Sequence, residues 1–300
     1  MHPFDYVAPA TLEEALAALA ERRDDVKVLA GGQSLVPLLN YRLARPRVVV
    51  DINALALDGI GVAHASGGYG GSREGPPISI KIGALTRHAT LEESAELAHA
   101  CPLLREAAAL IGNVRVRTLG TLGGSLAHGD PAAELPMAMV ALDARFDVVG
   151  REGRRRIPAR DFFTGYLTTA LAPDELLVDV EIPIVRGAGW AVEEQSRRAG
   201  DFAIVAVATL IGLDARGRVD EARVAFGGVG PTPVRVEAAE DVLVGMEPTS
   251  ERLAEAADAA RDALRPQSDA FVSAAYRRLL AGVLARRALA RAVARAIGAR

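Results

Sequence analysis

Three hundred residues allow about two domains at the usual ~100–200 residues each. Half of them are apolar and 24% are charged, as in ordinary globular proteins. The formal net charge of −3 argues against nucleic acid as a partner. The single cysteine, Cys101, excludes an internal disulfide, a resident iron–sulfur cluster, which normally takes about four thiolates, and a thiolate zinc site.

The N-terminus, Met1-His2-Pro3-Phe4-Asp5, has neither the basic nor the apolar region of a signal peptide, and no apolar run reaches the roughly 18 residues of a membrane span. A cytoplasmic address is the expectation. Thr11-Leu12-Glu13-Glu14 is a capping-box pattern, and Leu12, Ala15, Leu16 and Leu19 follow at helical spacing, so a helix starts here. Val26–Ala30 reads as a strand running into Gly31-Gly32. An apolar segment from Ser34 to Leu39 and a second strand at Val48–Ile52 complete a compact βαβ unit. Gly67-Gly68-Tyr69-Gly70-Gly71 reads as a surface loop and Ser79–Ile82 as a strand. A second capping box, Thr90-Leu91-Glu92-Glu93, predicts another helix start, and Leu103–Leu110 and Pro131–Leu142 read as helices.

After about Arg145 the pattern turns to β-type runs at Arg145–Val149, Leu176–Ile182, Ala203–Leu213 and Val219–Val229. Ala215-Arg216-Gly217 is the hairpin turn between the last two. From Val236 the chain is helical to its end, with Pro266 separating two pieces, and a domain boundary is expected near residues 165–180. From Tyr276 to Arg300 there are seven arginines and no acid, a solvated face or a docking surface.

Two glycine turns carry the chemistry. The first is Ala30-Gly31-Gly32-Gln33-Ser34-Leu35, between a strand and a helix. Glycine lets backbone N–H groups converge on an anion, and a helix N-terminus adds unsatisfied amides and a positive dipole end. Gly120-Thr121-Leu122-Gly123-Gly124-Ser125 repeats that chemistry about 90 positions later. Two such turns suit one ligand with two phosphates. Neither a GxGxxG nor a GxxxxGK[ST] occurs, which leaves a diphosphate-bearing cofactor in another kind of fold.

Both turns, the segment Ala127–Pro136, Asp161-Phe162-Phe163-Thr164-Gly165, Pro173–Leu177 and Gly227-Gly228-Val229 resemble the flavin-carrying medium subunits of molybdenum hydroxylases, of which carbon monoxide dehydrogenase is the best-known type. The resemblance spans nearly the whole chain. It implies an α+β fold: a two-subdomain, PCMH-type FAD-binding module over residues 1–175 (about 1–55 and 56–175), then a smaller α+β domain, antiparallel sheet plus helices, over 176–300. It implies that Gly31–Leu35 and Thr121–Ser125 wrap the FAD pyrophosphate, with Ala30 and Gly120 opening the two turns. Glu134 would accept a hydrogen bond from the adenosine end, Phe202 would lie against the isoalloxazine, and Leu177 would touch the flavin. Many relatives have Tyr at the position of Phe202, so any hydroxyl contact is lost here. His128 sits in a context resembling the noncovalent subfamily, so FAD is expected to be noncovalent.

By the same resemblance, a molybdenum cofactor and two-iron two-sulfur clusters belong to a large and a small partner subunit, assembled as a dimer of heterotrimers. The chain is then an electron-transfer subunit with no catalytic acid, base or nucleophile and no metal ligands of its own. The competing readings are a self-sufficient FAD oxidoreductase and a nucleotide-responsive regulatory protein. A substrate pocket with a base would mark the first, and failure to take up FAD would mark the second.

Overall fold

The computed structural model describes residues 1–21, 25–65 and 76–299; the glycine-rich stretch 67–71 and Arg300 lie outside the described residues. The first unit contains β1 (Asp5–Val7), α1 (Leu12–Glu21), β2 (Val26–Leu29), α2 (Leu35–Asn40) and β3 (Val48–Asp51). Its three strands are parallel in the order β1-β3-β2, so the βαβ reading holds. The cap at Thr11 forms too: Glu14 N donates to Thr11 Oγ1 at 3.2 Å, and Glu14 reaches back to Ala10 N at 2.8 Å.

The second unit begins with β4 (Ile60–His64) and β5 (Pro77–Gly83). Short helices follow: α3 (His88–Glu93), α4 (Ala95–Ala100), α5 (Pro102–Leu110), α6 (Val114–Leu119), α7 (Leu122–His128) and α8 (Glu134–Ala141). It continues with β6 (Arg145–Gly150), β7 (Gly153–Pro158), α9 (Ala159–Phe162), β8 (Phe163–Gly165), β9 (Thr168–Thr169) and β10 (Leu176–Pro183). The capping box expected at Thr90 is not used. His88 N bonds Gly120 O at 3.0 Å and the helix starts there, leaving Thr90 in its middle; Ser94 caps the next helix instead.

The third unit contains β11 (Gly189–Gln195), β12 (Val205–Leu213), β13 (Val219–Gly227), β14 (Val234–Arg235), α10 (Glu237–Leu243), α11 (Ser250–Ala263) and α12 (Ala274–Gly298). The helical end is thus three pieces, not two. The hairpin turn falls where expected, with Gly217 at φ 84° and Asp214 Oδ1 accepting from Arg216 N and Arg218 N.

Strand pairing corrects one boundary. β10 lies between β5 and β6 in a sheet ordered β4-β5-β10-β6-β7, so residues 176–183 belong with the second unit rather than with the C-terminal domain. The change of sheet comes after Pro183, because β11 pairs with β12 at the edge of the sheet β11-β12-β13-β14.

Three apolar cores hold these layers. The first unit closes over Ala15, Leu19, Val48 and Val50, and reaches Leu176 and Val178 of β10. The second core joins the five-stranded sheet and helices α5, α7 and α8 to one face of the C-terminal sheet; the third packs its other face on α10–α12. β12 is consequently buried on both faces and reads as a nearly continuous apolar run, broken only by Thr209. All eight residues of α8 are buried, since a helix with no polar side suits only the space between two layers. That helix begins with Glu134. Among the described residues, no helix is long and apolar enough to cross a membrane.

Candidate functional site

The two glycine turns, about 90 residues apart in sequence, touch. A Cβ built on Gly31 would stand 2.2 Å from Leu119 O and 2.7 Å from the Gly120 Cα, so only glycine lets the turns meet. Gly123 is required in the same way, because its Cβ would meet Ala84 Cβ at 2.6 Å. Around the contact runs a clamp that sequence patterning did not reveal. Arg87 Nη1 donates to Leu119 O at 2.5 Å and Nη2 to Asn53 Oδ1 at 2.8 Å, while Asn53 Nδ2 donates to Ala30 O at 2.8 Å. One arginine and one asparagine thereby join both turns. Neither residue belongs to a periodic pattern or a motif, so no local signal could have found them.

The turns differ in what they offer. Among the described residues, the backbone N–H groups of Gly31 through Leu35 have no hydrogen-bond partner, and Gly32 sits at φ 71°. In the second turn the amides from Leu122 to Ser125 are already used. Leu122 N bonds Thr86 O at 2.9 Å, Gly123 N bonds Ala84 O at 2.7 Å, Gly124 N bonds Thr121 Oγ1 at 3.1 Å, and Ser125 N bonds Thr121 O at 3.1 Å. Equal chemistry at the two turns is therefore not what the fold builds. The first turn supplies open amides; the second supplies close approach and the hydroxyls of Thr121 and Ser125. The β5–β10 register explains part of this arrangement: it continues one pair beyond Gly83, so Ala84 N bonds Val178 O at 2.9 Å, and Ala84 O then holds Gly123.

A cavity of about 510 Å³ opens over the turns, within the ~300–1,000 Å³ usual for cofactor sites. Its walls include Ala30, Gly31, Gly32, Gln33, Ser34, Leu35, Gly120, Thr121, Gly123, Gly124, Ser125, Glu134, Leu177 and Phe202. Fourteen of the fifteen candidate residues thus meet there. Leu122 does not: it is fully buried in the second core, anchoring α7 from below. Sequence reasoning missed Ile52, Leu85, His88, Ile111, Gly112 and Asp130, which also line the cavity.

Burial pushes the His88 imidazole down to about 4, so it is neutral, and its Nε2 bonds Thr121 O at 2.8 Å. A carbonyl can only accept, so Nε2 carries the proton. Burial pushes Glu134 up to about 7, with Glu194 and Asp130 adding repulsion. Arg117, one conceivable cation for Glu134, instead pairs with Glu92 at 2.6 Å. Among the described residues no cation pairs with Glu134, so its carboxyl is available to a ligand hydroxyl. Phe202 stands at the mouth, 60% exposed, on the loop between β11 and β12. The donors fit a dinucleotide-like cofactor: open amides for a diphosphate, a buried carboxyl for a hydroxyl, and an aromatic ring for a flat heterocycle.

The arginines of α12 face inward more than the sequence suggests. Arg277 donates to Ile204 O and Gly228 O, Arg278 lies near Asp262, and Arg291 and Arg295 pair with Glu106. Most of this run straps the helix to the protein.

Comparison with known proteins agrees over the whole chain. A family described as the FAD binding domain in molybdopterin dehydrogenase matches residues 2–185, and the CO dehydrogenase flavoprotein C-terminal domain matches 190–292. The chain is 41% identical to the 6-hydroxypseudooxynicotine dehydrogenase complex subunit alpha of Paenarthrobacter nicotinovorans, over 98% of this chain and 95% of that one. It is 37% identical to the carbon monoxide dehydrogenase medium chain of Afipia carboxidovorans, over 98% of each. A carbon monoxide dehydrogenase structure from Hydrogenophaga pseudoflava superposes with a TM-score of 0.90 at 38% identity, covering 98% of this chain and 99% of that one. The chain belongs to the FAD-binding medium subunits of the molybdenum hydroxylases, a family of oxidoreductase subunits.

Proposed function

We propose that this subunit takes electrons from two-iron two-sulfur clusters of a small partner subunit and passes them to an external acceptor. The electrons originate at a molybdenum cofactor in a large partner subunit, and the assembly is a dimer of heterotrimers in the cytoplasm. The observation that carries this reading is the shared cavity, where the open amides of Gly31–Leu35, the buried Glu134 and the Phe202 ring converge. The lone cysteine supports it from the other side: Cys101 is buried, its thiol pushed up to about 12, and it cannot ligate a cluster.

In this reading the residues divide the work of holding FAD noncovalently. The first turn's amides and the hydroxyls of Ser34, Thr121 and Ser125 hold the diphosphate. Glu134 accepts a hydroxyl of the adenosine end. Phe202 and Leu177 lie at the flavin and exclude water. Bound FAD supplies the redox chemistry, accepting and releasing electrons, while the chain binds and orients it.

The test is anaerobic stopped-flow absorbance on the isolated, FAD-loaded chain, with and without its co-expressed large and small partners. Alone, the flavin is reduced by dithionite but by no organic substrate; with the partners, it is reduced when their substrate is added. Substrate-driven reduction in the isolated chain would refute the subunit reading and establish a self-sufficient oxidoreductase.

A further inference from the structure

The cavity has two walls from different domains, and one carboxylate joins them. Glu106 lies on α5, whose continuation, Ile111 and Gly112, forms part of the cavity wall. Its Oε2 accepts from Trp190 Nε1 at 3.1 Å and from Arg295 Nη1 at 2.7 Å. Its Oε1 faces Arg291 Nη2 at 2.9 Å and Val192 N at 3.5 Å. Three elements of the molecule, α5, β11 and α12, are thus tied at a single group. The partners brace one another as well. The Arg295 guanidinium lies 4.8 Å from the Trp190 ring centroid and donates to Trp190 O at 2.7 Å, while Arg291 donates to Val192 O.

Leaving β11, the chain enters the loop that carries Gly200 and Phe202 to the cavity. Gly200, at φ 83°, passes so close to the other wall that a Cβ there would lie 2.7 Å from Gly112 O. The loop's other end is fixed by Arg277, which donates to Ile204 O at 2.6 Å. Glu106 therefore stands at the hinge side of both walls: six residues before Gly112 on one, and against the strand that leads to Gly200 on the other.

We infer that Glu106 is a positioning residue of the flavin site, latching β11 and α12 to α5 so that the Gly200–Phe202 loop is held against the Gly112 wall. The inference rests on the proposed FAD reading. Without the carboxylate, Arg291 keeps Glu193 at 3.3 Å but Arg295 loses its anion, and the seam between α5 and β11 is left to apolar packing, which is less directional. Phe202 then occupies its cavity position for only a fraction of the time, and its contribution to the apparent affinity falls accordingly.

The experiment compares the full chain with Glu106→Ala and Glu106→Gln, and uses Arg252→Ala, from an exposed pair within α11, as a control. FAD dissociation constants, bound-flavin fluorescence and melting temperature are measured on each. Glu106→Ala raises the dissociation constant by about threefold to tenfold, bounded by the loss of the Phe202 stack itself, and brings the fluorescence of bound flavin toward that of free FAD. Glu106→Gln keeps one acceptor oxygen, for Trp190 or Val192 but not both, and falls between. A purely structural role would lower the melting temperature with the dissociation constant within about twofold of the parent and the bound-flavin fluorescence unchanged, and that result overturns the inference. If Glu106→Ala is insoluble, Glu106→Gln and Arg295→Lys carry the same comparison with the same two outcomes. A parent chain that takes up no FAD overturns the cofactor reading together with this one, whereas a binding parent with unresponsive variants overturns this one alone.

Discussion

Gly31→Ala tests the meeting of the two turns with one methyl group. The new Cβ would stand 2.2 Å from Leu119 O, where ordinary contact begins at 3.4 Å, so the turns must part by roughly 1 Å. Neither neighbour yields easily. Leu119 O is held by Arg87, which also grips Asn53, and the second atom in the way is the backbone of Gly120. Overpacking of this kind costs about 1–3 kcal/mol of stability. The effect on the cofactor is larger, because separation removes the open amides of Gly31–Leu35 from the hydroxyls of Thr121 and Ser125. Losing two hydrogen bonds to a charged diphosphate costs about 3–6 kcal/mol, a hundredfold or more in affinity. The assay is FAD titration by fluorescence quenching alongside thermal melting. Gly245→Ala is the control: it sits at φ 81° with nothing within 4 Å of a built Cβ, so it costs about 1–2 kcal/mol of stability and leaves FAD affinity unchanged. If Gly31→Ala binds FAD within about twofold of the parent at an unchanged melting temperature, the turn-to-turn argument is wrong.

Glu134 and Glu194 are both pushed up to about 7, so the folded apoprotein binds more protons than the unfolded chain between the usual carboxylate range and pH 7. Apoprotein stability therefore falls as pH rises through that window, and Glu134→Gln flattens the dependence of the melting temperature while weakening FAD binding. A slope unchanged by the substitution would contradict this. Phe202→Ala leaves the melting temperature near that of the parent, because the ring is 60% exposed, and weakens FAD binding by the ~0.5–1.5 kcal/mol of an aromatic stack, read by the same titration. Arg87→Ala leaves Leu119 O and Asn53 without their shared donor; we expect a stability loss of about 1–3 kcal/mol and weaker FAD binding, checked by denaturant melts and titration.

The sequence alone determined what local chemistry can specify. Glycine pairs at 31–32 and 123–124 mark places where chain must approach chain or ligand, and the Thr11 cap, the β2–β3 unit and the Gly217 turn follow from side chains acting on their own backbone. Most of β12 was legible too: the run Ala203–Leu213 contains the strand Val205–Leu213, because a strand buried on both faces carries few polar side chains. What needed tertiary structure was everything set by partners distant in the chain. Leu176–Ile182 reads as a strand from its composition, yet nothing local says that it inserts between β5 and β6, because pairing is decided by which edges are free. Thr121–Ser125 looks like an open anion site until Thr86 and Ala84 come alongside and take the amides of Leu122 and Gly123. The arginines of α12 look like a solvated face until Glu106, far earlier in sequence, arrives beneath Arg291 and Arg295. A motif declares which groups are capable of binding, but burial and hydrogen-bond satisfaction decide which remain free, and those depend on neighbours that only the folded chain supplies.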